Sequence, residues 1–195
     1  GGEGNDVELT AGDQDRVYVD DDWLGTDGGT DPDGAGPARS FGFDSFATIQ
    51  EGIDAVAAGG EVFIYDHSGR GYAEALEIDA ATWAGKAARS HRVLLRSMSL
   101  TAAAANNPVV DGSGLSGTGL TIEGSDSTVT VTGLEFANSV TAGIISEGIL
   151  TVIDSKIDGG FSGIVVDGGW GLIHQTLVMD TSVFGIEIIN GGHAT

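Results

Sequence analysis

Three consecutive stretches of this chain can be laid over one another. Residues 127–148 read STVTVTGLEFANSVTAGIISEG, residues 149–170 read ILTVIDSKIDGGFSGIVVDGGW and residues 171–192 read GLIHQTLVMDTSVFGIEIINGG. Each carries a glycine, a short alternating run, and then an acid or asparagine before a second glycine: Gly143 to Gly148, Gly163 to Gly168, Gly185 to Gly191. Gly119-Leu120-Thr121-Ile122-Glu123-Gly124 is an earlier copy, and Phe136, Ile157 and Val178 are each 21 apart. A unit of about 22 residues cannot bury its apolar face alone, so copies of it must stack.

Each unit has room for two or three short strands separated by tight turns. Stacking pairs every strand in parallel with its copy about 4.8 Å above. The inward Ile, Val and Leu side chains then form continuous columns, with Gly, Asp and Asn where the chain turns with φ > 0. The expected fold class is all-β, a parallel β-helix solenoid. A leucine-rich repeat needs an L-x-x-L-x-L frame that is absent here, and a propeller blade needs about twice the period.

The N-terminal part reads differently. Residues 1–16 are polar and acidic, and read as a linker or loosely attached segment. Residues 17–60 form the entry. Val17-Tyr18-Val19 predicts a strand, an Asp/Gly-rich loop follows from Asp20 to Gly42, and Phe46, Ile49, Ile53 and Val56 fall at helical spacing. This predicts an amphipathic helix over 44–58 of roughly three turns, N-capped by Asp44 or Ser45 and closed by Gly59-Gly60. Residues 61–195 are the rungs. They begin with a strand at Glu61–Tyr65 and an excursion at 80–91, and further β-rich runs lie at Arg92–Arg96, Pro108–Asp111, Gly119–Glu123 and Val129–Phe136. An open solenoid end exposes unpaired backbone, and the helix is placed to cap the N-terminal one. At the other end, Gly-Gly-His-Ala-Thr follows a full rung directly. The expectation there is that the polypeptide continues or that another molecule covers the end.

Composition narrows the partners. The formal charge is -21, from 29 acids against 8 bases. Phosphate backbones need a basic stripe, so nucleic acid is excluded as a partner and anionic membranes are disfavoured. No cysteine is present, which removes disulfides, cysteine nucleophiles and thiolate metal sites. No stretch approaches the ~20 apolar residues of a membrane-spanning helix. With 41% hydrophobic residues there is material for a core.

Several segments together resemble a known family. Val17-Tyr18-Val19-Asp20-Asp21-Asp22, Gly-Thr-Asp-Pro-Asp-Gly at 29–34, Asp44-Ser45-Phe46-Ala47-Thr48-Ile49-Gln50, Glu61-Val62-Phe63-Ile64-Tyr65 and Gly71-Tyr72-Ala73-Glu74 are similar to the N-terminal entry of bacterial right-handed β-helix proteins of the pectin-lyase-like superfamily. The resemblance implies a right-handed winding and an extracellular or cell-surface setting. It covers about residues 17–192. Such entries occur in adhesin-like surface proteins and in carbohydrate-active enzymes.

The enzymatic elements of that superfamily are not matched. There is no G-H-G and no R-x-K; Gly192-His193 comes closest to the former. Asp154, Lys156, Asp158, His174 and Asp180 fall on consecutive rungs and read as outer-face residues and turn formers. No G-x-S-x-G occurs. No catalytic residue is assigned. The candidate metal ligands are Asp20, Asp21, Asp22, Asp27, Asp31 and Asp33, because calcium takes six to eight hard oxygens and an Asp/Gly loop supplies them. The cofactor that such a loop suits is calcium. Trp23 and Trp170 are the candidate glycan-binding aromatics. The expected function is a structural or adhesive extracellular module that binds carbohydrate, or neighbouring subunits through the open C-terminal end. The alternative is the N-terminal part of a polysaccharide lyase or glycoside hydrolase with its catalytic residues downstream.

Overall fold

The computed structural model describes residues 14–79, 81–84, 86, 96–103, 107–115 and 117–195. The entry comprises β1 (Gln14–Val19), a 3-10 turn at Asp21–Trp23, β2 (Ser45–Phe46) and helix α1 (Ile49–Ala55). The first coil holds β3 (Val56–Ile64) and β4 (Leu76–Ile78), the second β5 (Ser97–Ala102), β6 (Val109–Asp111) and β7 (Leu120–Ile122). The third holds β8 (Thr128–Thr132), β9 (Glu135–Ala137) and β10 (Ala142–Ser146), and the fourth β11 (Ile149–Ile153), β12 (Lys156–Asp158) and β13 (Ser162–Asp167). The fifth holds β14 (Trp170–His174), β15 (Leu177–Met179) and β16 (Phe184–Ile189), after which β17 (His193–Ala194) rejoins the first sheet.

The chain thus visits three sheets in rotation. One sheet runs β17-β14-β11-β8-β5-β3-β1-β2, a second β16-β13-β10-β7-β4 and a third β15-β12-β9-β6. All their pairings are parallel, as a stacked repeat requires. In the first coil Tyr72 supplies the third side by bridging to Val110. The fold is an all-β parallel solenoid, with one α-helix among the described residues. The run expected at Val129–Phe136 is two strands, β8 and β9, bent around Gly133 at φ 72°.

Registration follows the apolar columns. Val17, Val62, Leu100, Val131, Val152 and Ile173 pair in turn along the first sheet. Leu76, Leu120, Ile144, Ile164 and Ile186 do so in the second, and Val110, Phe136, Ile157 and Val178 in the third. The 21-residue spacing of the last three is therefore a stacking register. It also explains the recurrent glycine. A Cβ at Gly143 would sit 2.3 Å from the Ile157 side chain, and one at Gly163 2.4 Å from that of Val178. The corners need left-handed backbone, so Asn138, Asp154, Gln175, Asp180 and Asn190 all take positive φ. Asn and Asp tolerate that conformation better than most residues.

The helix is shorter than the periodicity predicts. It has 7 residues, Ile49–Ala55, with Thr48 as N-cap accepting from the Glu51 amide at 3.2 Å. Ser45-Phe46 pairs with Tyr18-Val19 instead, and Asp44 accepts the amides of Arg39 and Ser40. At the other end, Val56 keeps its apolar side chain inward by starting β3. A β-branched residue loses less in a strand than at a helix end. Gly59 and Gly60 lie inside β3 at a register shift against β1 rather than closing the helix. Of the expected linker, residues 1–13 lie outside the described residues, and Gln14–Arg16 belong to β1. The 80–91 excursion and the 92–96 run lie largely outside them too.

The helix crosses the N-terminal end of the solenoid, touching β1, β2, β3 and β4. It does so at close range, since a Cβ at Gly52 would lie 2.7 Å from the Val19 side chain. Polar side chains fasten it. The Gln50 amide accepts from Glu77 N at 2.9 Å and donates to Glu77 O at 3.1 Å, so it pairs the open edge of β4 like a strand residue. The Glu74 carboxylate accepts Ile49 N at 2.9 Å and Gln50 N at 3.0 Å. At the far end Lys86 Nζ donates to the carbonyls of Ile53 at 2.5 Å, Asp54 at 3.2 Å and Val56 at 2.7 Å. Burial pulls Lys86 down to about 8, while the helix-end carbonyls favour its charged form.

Candidate functional site

The acidic loop is built from turns. Asp20 is buried and caps the 3-10 turn. One oxygen accepts Asp22 N at 3.2 Å and the other lies 2.5 Å from His67 Nδ1. Burial raises its pKa above the ordinary carboxylate value, and the His67 and Asp22 bonds oppose that rise. Asp21 accepts the Ser68 hydroxyl. Asp31 accepts Asp33 N at 3.3 Å and Gly34 N at 2.8 Å, and Asp33 accepts Ala38 N at 3.2 Å. Asp22 and Asp27 are exposed. Of the six expected calcium ligands, Asp20, Asp31 and Asp33 thus point to separate backbone amides, Asp21 to a serine hydroxyl, and Asp22 and Asp27 to solvent. Among the described residues, no three Asp, Glu or His side chains gather into a group that could hold a metal ion.

The two tryptophans part company. Trp23 is buried at 8% exposure and packs against Tyr65 with ring centroids 6.3 Å apart. Its ring is a wall of the entry and offers little exposed surface to a glycan. Trp170 is 57% exposed and stacks on His193 at 4.8 Å. It stands in an outward column of the first sheet, in register with Thr128 and Ile149.

Four of the five charged residues on consecutive rungs hold corners or ion pairs. Asp154 and Asp180 hold left-handed corners. Lys156 bonds Glu135 at 2.7 Å and Asp158 at 2.8 Å, and the Asp158 and Glu135 carboxylates hold its pKa above the ordinary lysine value. A lysine held this way is a poor base. His174 stands exposed at the end of β14.

Two surfaces remain. The fifth coil leaves apolar positions uncovered: Ile186 and Ile188 are 45% and 47% exposed, while their register partners Ile164 and Val166 are fully buried. Phe184 is exposed beside them on the same strand, while Leu172 and Leu177 are exposed on the outward faces of the first and third sheets, in register with Thr151 and Lys156. The second surface is the outward face of the first sheet over β5, β8 and β11. There Ser97 pairs Thr128, Ser99 pairs Thr130 and then Thr151, and Thr101 pairs Thr132. The sequence shows this surface as S-x-S-x-T at 97–101 and T-x-T-x-T at 128–132, a signal that periodicity alone assigns to strand propensity. The Gln50, Glu74 and Lys86 contacts carried no comparable signal, because their partners lie on other elements.

No protein-family model matches the chain, and searches of curated proteins and of solved structures return no match either.

Proposed function

We propose that the chain is a structural and adhesive β-helix module of an extracellular or cell-surface protein, of the pectin-lyase-like kind its entry motifs resemble, and that it associates through its C-terminal coil. One observation carries the reading: the last coil presents Ile186, Ile188 and Phe184 to solvent, 45–47% exposed, at the edge of an otherwise closed core. Unpaired strand edges with apolar side chains are templates for further pairing, and a contiguous apolar patch of this kind marks an interaction surface. Among the described residues α1 covers the N-terminal end, so the partner surface is a second C-terminal coil or additional rungs of the same repeat.

The test is sedimentation velocity over a wide concentration range, with wild type beside Ile186→Lys/Ile188→Lys. The wild type is expected to associate reversibly. The variant is expected to stay monomeric with an unchanged β-sheet circular dichroism spectrum. A wild type that is monomeric throughout, or a folded variant that still associates, would contradict the proposal.

A further inference from the structure

We propose that the outward face of the first sheet over β5, β8 and β11 is a docking surface for an extended, neutral, hydroxyl-rich glycan, lying along the solenoid axis. This deepens the adhesive reading above and rests on it.

The face is a grid. Ser99, Thr130 and Thr151 form one column, and Thr101 and Thr132 another. Neighbours within a column are about 4.8 Å apart, and the columns stand two residues, or about 6.7 Å, apart along each strand. All five are partly exposed. Among the described residues their hydroxyls have no hydrogen-bond partner, and a hydroxyl both donates and accepts. Sugar hydroxyls do the same.

Strand propensity accounts for threonine here, but not for the lack of charge. The chain carries 29 acids, and the third sheet in the same coils places Asp111, Glu135, Lys156 and Asp158 outward. On the first sheet β5, β8, β11 and β14 turn no acid outward. Charge does bound the patch on the N-terminal side, where the Arg16–Glu61 ion pair lies. Trp170 and Ile149 continue the outermost column as apolar contacts. A neutral polymer fits such a strip. A polyuronate would meet the negative field of a chain with net charge -21.

The experiment is affinity electrophoresis of the 195-residue protein in gels containing a soluble mixed-linkage β-glucan, a galactomannan or polygalacturonate. Retardation is expected with at least one of the two neutral polymers and not with polygalacturonate. Thr130→Glu/Thr151→Glu should weaken it about tenfold or more, and the near-isosteric Thr130→Val/Thr151→Val several-fold. Circular dichroism confirms the fold of each. Failure of both neutral polymers to retard the protein overturns the proposal, as does retardation unchanged in both variants or a preference for polygalacturonate. Sedimentation of the same face variants separates the two readings. Association that persists while glycan binding is absent removes the docking face and leaves the adhesive end standing.

Discussion

The first and the last described coils of this solenoid differ in how their edges are satisfied. At the N-terminal end the last inward valines, Val17 and Val19, are covered by α1, and both are fully buried. The free edge of β4 is paired by the Gln50 side chain, the first helix amides by Glu74, and the last helix carbonyls by Lys86. At the C-terminal end the equivalent columns finish in Ile173, Val178, Ile186 and Ile188, with the edges of β15 and β16 unpaired. The difference shows what closing a parallel stack takes. Apolar cover alone is insufficient, because every edge amide and carbonyl also needs a partner.

The largest effect that can break this comparison is a matched pair of truncations. Ile53→Ala, in the fully buried cap, is expected to cost about 2–5 kcal/mol by urea unfolding. Ile186→Ala, 45% exposed at the open end, is expected to cost roughly 1 kcal/mol or less in dilute protein. Equal costs would mean the ends are alike.

Next come the polar fasteners. Lys86→Met removes the donor that three helix-end carbonyls share and is expected to cost about 1–3 kcal/mol. An unchanged urea midpoint would show that water replaces it at no cost.

The stacking register was legible in the sequence, since Phe136, Ile157 and Val178 advertise their spacing and Gly143 and Gly163 mark where a side chain cannot fit. The boundary between α1 and β3 was not. Ile49, Ile53 and Val56 satisfy a helical stripe and an inward-facing strand start equally well, and only pairing with β1 decides. The acidic loop was legible as a loop. Which partners its carboxylates take was not, because His67 and Ser68 reach it from 47 residues away. The hydroxyl grid was visible as alternating Ser and Thr, yet its registration across β5, β8 and β11 exists only in the stack.

A smaller effect separates calcium from simple screening. With 29 acids on the chain, added sodium chloride should raise the unfolding temperature at pH 7 by weakening self-repulsion. A gain of about 1 kcal/mol reads as roughly 2–4 °C. Because Asp20, Asp31 and Asp33 already hold backbone amides and no metal-holding group gathers among the described residues, calcium at matched ionic strength should add nothing further. A rise that chelator reverses would instead establish a calcium site, with Asp20 to Asp33 the first residues to substitute.

The smallest expected effect is in pH. Burial raises the Glu74 carboxyl above its ordinary 4.5, with the Gln50 and Ile49 amides opposing. A carboxyl raised on folding binds its proton more readily in the native state, so the stability it confers is present below 4.5 and is lost as pH rises through the folded value. Glu74→Gln should flatten that part of the urea-midpoint profile. An identical slope in the two proteins would remove Glu74 as its source.

The claim that the C-terminal coil is an adhesive end is tested most directly by amide hydrogen exchange across Phe184–Ile189 at low and high protein concentration. The account predicts fast exchange in dilute protein and slow exchange once the coils associate, while Val56–Ile64 at the closed end stays protected at both. Fast exchange of Phe184–Ile189 at every concentration would contradict it.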